Sequence, residues 1–257
     1  NFMVGQEGEN FGTDPSDISV SFNGTPAEFE LVDESTIVAT TPADYKTGNV
    51  TVTIHGYTMT GSAMFNPNSK GDVTVLYLQN YKQPFAKAND ENWKNGEWWT
   101  PAVWNQNAAS FNAKGNTTVS GMQYKSEEGL TLAFQNGWDK EAYTNGKMWQ
   151  VATLRPGKYR LEVTYAYTLV VTDAGNFISV LIAKGDSESD IPNVADLEQL
   201  NGVYVVYDKM GTANDSGTLV TPSFEVTETT DVVIGFLTSL AKGNSYFKVT
   251  ELKLILE

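Results

Sequence analysis

Between Tyr159 and Val171 every odd-numbered residue is apolar (Tyr159, Leu161, Val163, Tyr165, Tyr167, Leu169, Val171), with Arg160, Glu162, Thr164 and Thr168 among the residues between them. A period of two means a strand with one packed and one wet face, and Pro156-Gly157 is the turn that starts it. Shorter runs repeat this pattern. Ile18, Val20 and Phe22 alternate with Ser19 and Ser21; Val50, Val52 and Ile54 alternate with Thr51, Thr53 and His55. Asn23-Gly24 is a hairpin turn signal, and Pro42 stops the Ile37-Val38-Ala39 strand because it cannot donate to a ladder. Phe177 to Ala183 is apolar on both faces, as a central strand requires. Further strands are predicted at Val203–Tyr207, Leu219–Val226, Val232–Leu237 and Phe247–Leu256. The last switches parity, from Phe247 and Val249 to Leu252, Leu254 and Leu256, so a bulge is expected near Thr250-Glu251. One helix of about two turns is expected, over Asn193 to Leu200. The chain reads as all-β, and many strands with long connections suggest a jelly-roll or related sandwich in its larger part.

The 257 residues leave room for one large or two modest domains. The composition, 40% hydrophobic and 19% charged, is globular. With 17 Lys and Arg against 31 Asp and Glu, the net charge of −14 repels nucleic-acid phosphates and anionic lipid. There are 0 Cys and 1 His, which excludes a Cys nucleophile and a Cys/His zinc site, and leaves any Ser-His-Asp triad dependent on His55. No apolar stretch approaches the roughly 20 residues that span a bilayer, so no membrane insertion is expected. The chain opens on Asn1 without a leader and is expected to be an excised or mature fragment.

Four motifs occur in order: Gly8-Glu-Asn-Phe-Gly12, Ile18-Ser-Val-Ser-Phe-Asn-Gly24, Ser35-Thr-Ile-Val-Ala-Thr-Thr-Pro42 and Thr47-Gly-Asn-Val-Thr-Val-Thr-Ile54. The run from Gly8 to about Phe65 resembles the IPT/TIG family of immunoglobulin-like domains, and the resemblance implies a small β-sandwich. That family has a further strand before its Asn-Phe-Gly loop. Only Asn1 to Gln6 precede it here, so the module is expected to lack its first strand or to borrow one. The polar stretch Asn66-Pro-Asn-Ser-Lys-Gly71 marks a joint, giving an Ig-like domain over 1–67 and a larger sandwich over 68–257. Asn145-Gly-Lys-Met-Trp-Gln150 and Leu154-Arg-Pro-Gly-Lys-Tyr-Arg-Leu-Glu-Val163 resemble the C-terminal jelly-roll or galactose-binding-like domains of Bacteroidetes surface proteins. Together the two resemblances imply a surface glycan-binding lipoprotein of a polysaccharide-utilisation system. Such a protein is lipid-anchored at the outer membrane through a segment outside this chain, or secreted, and works with an outer-membrane glycan-uptake complex.

All 6 Trp lie between Trp93 and Trp149. The densest stretch, Trp93 to Asn107, reads as loop. Its adjacent Trp98 and Trp99 must face opposite ways in extended chain, and Asn105 follows them. A second polar loop carries Asn136, Trp138, Asp139, Lys140 and Tyr143. Aromatic faces stack on the C–H face of a sugar ring while amides, carboxylates and ammonium groups bond its hydroxyls, so these eight residues are the candidate ligand contacts. Trp104 and Trp149 are assigned to the core. Asp186-Ser-Glu-Ser-Asp190 alternates carboxylates, but its spacing does not fit an EF-hand loop. It reads as a solvated acidic loop, with structural calcium as the alternative and no cofactor otherwise expected. No acidic pair matches a hydrolase motif. The expected function is non-catalytic binding of a neutral polysaccharide or oligosaccharide by the second domain, with the first as spacer. The rivals are a protein-contacting adhesion module, with its aromatics all buried, and a glycoside hydrolase or lyase on a jelly-roll scaffold.

Overall fold

The computed structural model of the chain describes residues 3–88, 98–111, 120–136, 142–170, 175–241 and 245–257. They form two compact units, Asn1–Leu76 and Tyr77–Glu257. The first contains β1 (Met3–Glu7), β2 (Ile18–Phe22), β3 (Thr25–Ala27), β4 (Phe29–Asp33), β5 (Thr36–Thr40), β6 (Gly48–Ile54) and β7 (Tyr57–Met64). Two sheets, β1-β5-β4 and β3-β2-β6-β7, make an Ig-like sandwich. Phe11, Ile18, Val20, Phe22, Ile37, Ala39, Val50 and Val52 fill its core, the face that the alternation marks.

Three expectations for this unit need correction. The first strand is present: Met3–Glu7 pairs antiparallel with β5 from Met3↔Thr40 to Glu7↔Thr36, because a few extended residues suffice to extend a ladder along a free edge. The stretch after β7 is no free joint. The Asn66 side chain donates to Tyr45 O at 2.8 Å and its backbone N–H to Thr47 Oγ1 at 2.9 Å, and the unit runs on to Leu76. His55 lies in the turn after β6, not on the strand. Its φ of 49°, followed by 83° at Gly56, makes a hairpin turn of the same kind as Asn23-Gly24, where the angles are 46° and 84°. Its Nδ1 lies 3.4 Å from Asp17 Oδ2.

A short strand, β8 (Gly71–Asp72), follows. The second unit comprises β9 (Trp98–Trp99), β10 (Asn105–Gln106), β11 (Ser120–Lys125), β12 (Gly129–Asn136), β13 (Tyr143–Leu154), β14 (Gly157–Val170), β15 (Phe177–Lys184), β16 (Val205–Lys209), β17 (Ala213–Val220), β18 (Phe224–Val226), β19 (Thr230–Leu240) and β20 (Ser245–Leu256). One sheet has the order β10-β13-β19-β15-β16; the larger runs β17-β14-β20-β12-β11-β9, with β18 also pairing β14. The result is a jelly-roll-like sandwich whose centre is aromatic. Phe236 of the smaller sheet lies 4.9 Å from Phe134 and 6.4 Å from Phe247 of the larger, centroid to centroid.

The parity switch in β20 is a bulge: Thr164 pairs with Glu251 and Tyr165 with Val249, leaving Thr250 over. Phe247, Val249, Leu252, Leu254 and Leu256 are thereby all buried. A second bulge, in β14 between Tyr165 and Leu169, breaks the alternation that seemed regular to Val171. Tyr167 is turned outward and is 43% exposed, while Val170 is buried. Leu219–Val226 is two strands, because Pro222 interrupts the ladder. Of the helix expected over Asn193 to Leu200, the last four residues, Leu197–Leu200, form a helical turn. Trp98-Trp99 is a strand rather than a loop, pairing with Gln123 and Met122 of β11.

The outer face of the smaller sheet is apolar as well. Trp149, Leu181, Ala183, Val205, Val233 and Leu237 form a second cluster with Ile191 and Leu197. The long β15–β16 connection, residues 185–204, therefore packs over that face, and this cover creates a recess.

Candidate functional site

Of the candidate aromatics among the described residues, Trp98 and Tyr143 are interior. Trp98 is buried, and only Trp99 of the pair is half-exposed, as opposite faces of a strand require. The ammonium group of Lys87 sits 5.1 Å from the centroid of the Trp99 ring. Asn105 is exposed, with its Nδ2 3.4 Å from Trp149 O. Tyr143 is not a surface platform. It starts β13, its hydroxyl shares a 3.1 Å hydrogen bond with Thr238 Oγ1, and burial pushes its phenol above the usual range. Asn136 is likewise interior, its Nδ2 donating to Ala241 O at 2.7 Å and tying β12 to the end of β19. Both residues were read as loop, but the ladders extend through them. Trp138, Asp139 and Lys140 lie outside the described residues. Trp104 and Trp149 are buried; Trp104 Nε1 donates to Asn80 O at 3.0 Å.

A cleft of about 580 Å³ lies where the 185–204 cover meets β13. Its construction starts at Asn145 and Lys147 of β13, which both reach the 185–204 cover. Asn145 Oδ1 accepts the Val194 N–H at 2.9 Å. Lys147 Nζ donates to Ile191 O at 2.6 Å and to Glu188 O at 3.2 Å, while Asn107 Nδ2 donates to Glu188 Oε1 at 3.2 Å. Burial lowers the Lys147 ammonium pKa, and the nearby Glu188 charge opposes that shift. Between the two polar residues only glycine fits: a Cβ at Gly146 would stand 2.5 Å from the Tyr143 ring and 2.9 Å from Thr238 Oγ1.

The cleft walls are Ile191, Pro192, Leu200 and Tyr204, and its polar groups are Lys147, Ser189, Asn193 and Asp196. The Tyr204 hydroxyl donates to Asp190 O, which fixes the ring before any ligand arrives. Apolar walls carrying a few aimed polar groups are the usual make-up of a small-molecule site. None of these residues was a sequence candidate except through the Asn145-Gly-Lys motif, noted for its resemblance rather than for what it holds.

Residues 79–235 match the family described as a domain of unknown function, DUF5013. The chain belongs to this family. The DUF5013 match covers β9 to most of β19 and takes in the whole cleft, while residues 6–70 match the IPT/TIG domain. No curated protein matches the chain. Similar solved structures include the module TmCBM61 in complex with beta-1,4-galactotriose, at 13% identity and TM-score 0.37 over 70% of this chain and 100% of that one. Another is the K3 cleaved adhesin domain of Lys-gingipain from Porphyromonas gingivalis, at 10% identity and TM-score 0.36 over 70% of this chain and 97% of that one. A third is the xylan-binding module CBM15, at 13% identity and TM-score 0.32 over 60% and 96%.

The acidic loop of the DUF5013 unit is committed to its own backbone. Asp190 Oδ2 accepts from Ser187 Oγ at 2.6 Å and from the N–H groups of Asp186 and Ser187 at 3.0 Å. Among the described residues no group of three or more acidic or histidine side chains gathers. The Ser187 hydroxyl is the main reason that the Asp190 carboxyl is held below its usual range, with the two N–H groups and the Tyr204 hydroxyl adding to it. Since the folded pKa is the lower one, this stabilisation is complete above the ordinary carboxylate pKa and is lost as pH falls through the folded value. Asp190→Asn is therefore expected to melt a few degrees below wild type at pH 7, with the gap closing as pH falls below the ordinary carboxylate pKa in a series of thermal melts.

Proposed function

We propose that the DUF5013 unit is a non-catalytic binding module for a neutral polysaccharide or oligosaccharide, held in the cleft, and that the IPT/TIG unit acts as a spacer at the cell surface or outer membrane. The observation that carries the reading is the pre-fixed Tyr204 ring facing a recess with Asn193, Asp196 and Ser189 around it. An aromatic face takes the C–H side of a sugar ring and the polar groups take its hydroxyls. One ammonium and one carboxylate line the cleft, which disfavours a ligand carrying net charge of either sign. A single carboxylate lining the recess also fits binding better than turnover, since glycoside hydrolysis generally uses two acids flanking the bond. No cofactor enters this reading. The acidic surface suits a neutral glycan, and on a long polymer several weak sites gain affinity by acting together. A lipid anchor outside this chain and a glycan-uptake complex as partner complete the proposal.

Tyr204→Ala is expected to reduce retention in polysaccharide-containing native gels about tenfold, the equivalent of one lost aromatic stacking contact. Unchanged retention with an unchanged melting temperature would remove the cleft as the ligand site. Retention of no glycan by the wild-type protein would favour the protein-adhesion alternative.

A further inference from the structure

The bulge in β14 has a consequence on the outer face of the larger sheet. Up to Tyr165 the odd-numbered residues of β14 point into the sandwich, and Tyr165 itself packs 5.5 Å from Phe247. A regular ladder would carry Tyr167 inward with them. Instead the ladder slips between Tyr165↔Val249 and Leu169↔Tyr246, and Tyr167 stands 43% exposed with φ of 50°. A bulky residue in the left-handed region is a genuine outlier. Across the β14–β17 ladder, which slips at the same place, Asp215 also has a positive φ, 118°, and is exposed.

The strain is held in place from several sides. The Thr168 hydroxyl donates to Ala166 O at 3.1 Å and accepts the Lys248 N–H at 3.1 Å, so both ends of the bulge are pinned. Tyr246, half-buried, faces Leu169 directly across the ladder, two residues along from Tyr167. The Lys248 ammonium lies 5.5 Å from the centroid of the Tyr246 ring and is neutralised by Glu128. Bulges commonly re-aim one side chain beside a functional surface, and strained residues persist where they serve one.

We infer that Tyr167, turned outward by the bulge, is a second saccharide platform, on a different sheet from the cleft. The exposed phenol face would stack on the C–H side of a neutral sugar ring, with the hydroxyl free to bond one of its hydroxyl groups. The ligand class rests on the glycan-binding reading above, and the two sites would act together on one long chain.

The test compares wild type, Tyr167→Gly, Tyr167→Asn, Tyr167→Trp and Tyr204→Ala by thermal melting and by retention in native gels cast with a β-glucan, a galactan, a xylan or a mannan. Gly and Asn accept positive φ, so both substitutions are expected to raise the melting temperature by a few degrees while weakening retention at least threefold. Tyr167→Trp is expected to keep retention. A raised melting temperature with unchanged retention overturns the platform, because the strain then serves no ligand. A lowered melting temperature overturns it too, because Tyr167 is then a packing residue. Loss of retention in Tyr204→Ala but not in the Tyr167 variants sinks the platform alone; loss only in the Tyr167 variants supports it and sinks the cleft. A wild-type protein retained by none of the four polymers sinks both.

Discussion

Lys147→Met is expected to lower the melting temperature of the second unit by roughly 10 °C and to abolish glycan retention. Met nearly conserves the volume of the stem, so the change isolates the ammonium. That group donates to Ile191 O and Glu188 O, and hydrogen bonds from a charged donor are worth about 1.5–3 kcal/mol each. The desolvation cost of the buried charge offsets part of this, leaving a net loss of about 2–4 kcal/mol. The functional consequence follows from position. Ile191 and Pro192 form one wall of the cleft and Tyr204 is fixed through Asp190 of the same segment, so releasing residues 188–192 dissolves the recess as a unit. Melting with and without the retained glycan checks both halves. A variant with wild-type stability and retention would mean that Lys147 latches nothing.

Gly235→Ala should destabilise by about 4 kcal/mol or more, among the largest effects available to a single methyl group. Gly235 sits in β19 directly opposite Trp149 of β13. A Cβ there would lie 2.1 Å from Met148 O and 2.8 Å from the Trp149 Cα. Both are backbone atoms of the central ladder and cannot rotate away, unlike the end of a flexible side chain. The strands would have to part beneath the cluster that seats residues 185–204. Gly211→Ala is the control: nothing lies within 4 Å of its added Cβ, and its melting temperature is expected to stay within about 1–2 °C of wild type. A similarly small change at Gly235 would contradict the tight β13–β19 packing.

Much of the architecture was legible because strands record burial with a period of two. Ile18, Val20 and Phe22 are buried as their alternation requires, and the parity switch in β20 located the Thr250 bulge from residue types alone. The bulge at Tyr167 left no such mark. Tyr165, Tyr167 and Leu169 continue an apolar alternation without a break, and a tyrosine is as acceptable on a wet face as in a core. Trp98, Tyr143 and Asn136 misled for a related reason: Asn- and Gly-rich flanks suggest loop, while pairing with a distant strand decides whether a segment enters a sheet.

The sequence by itself determined the all-β class, the Ig-like unit with its turns, and the composition that disfavours nucleic acid and Cys/His metal chemistry. These depend on local period, turn geometry and charge count. Only the tertiary structure decided where a ligand could sit. The cleft exists because Lys147 reaches Ile191, Asn145 reaches Val194 and Tyr204 reaches Asp190. Contacts between segments so far apart along the chain depend on which strands pair and what packs over them, and no local pattern of residues encodes that.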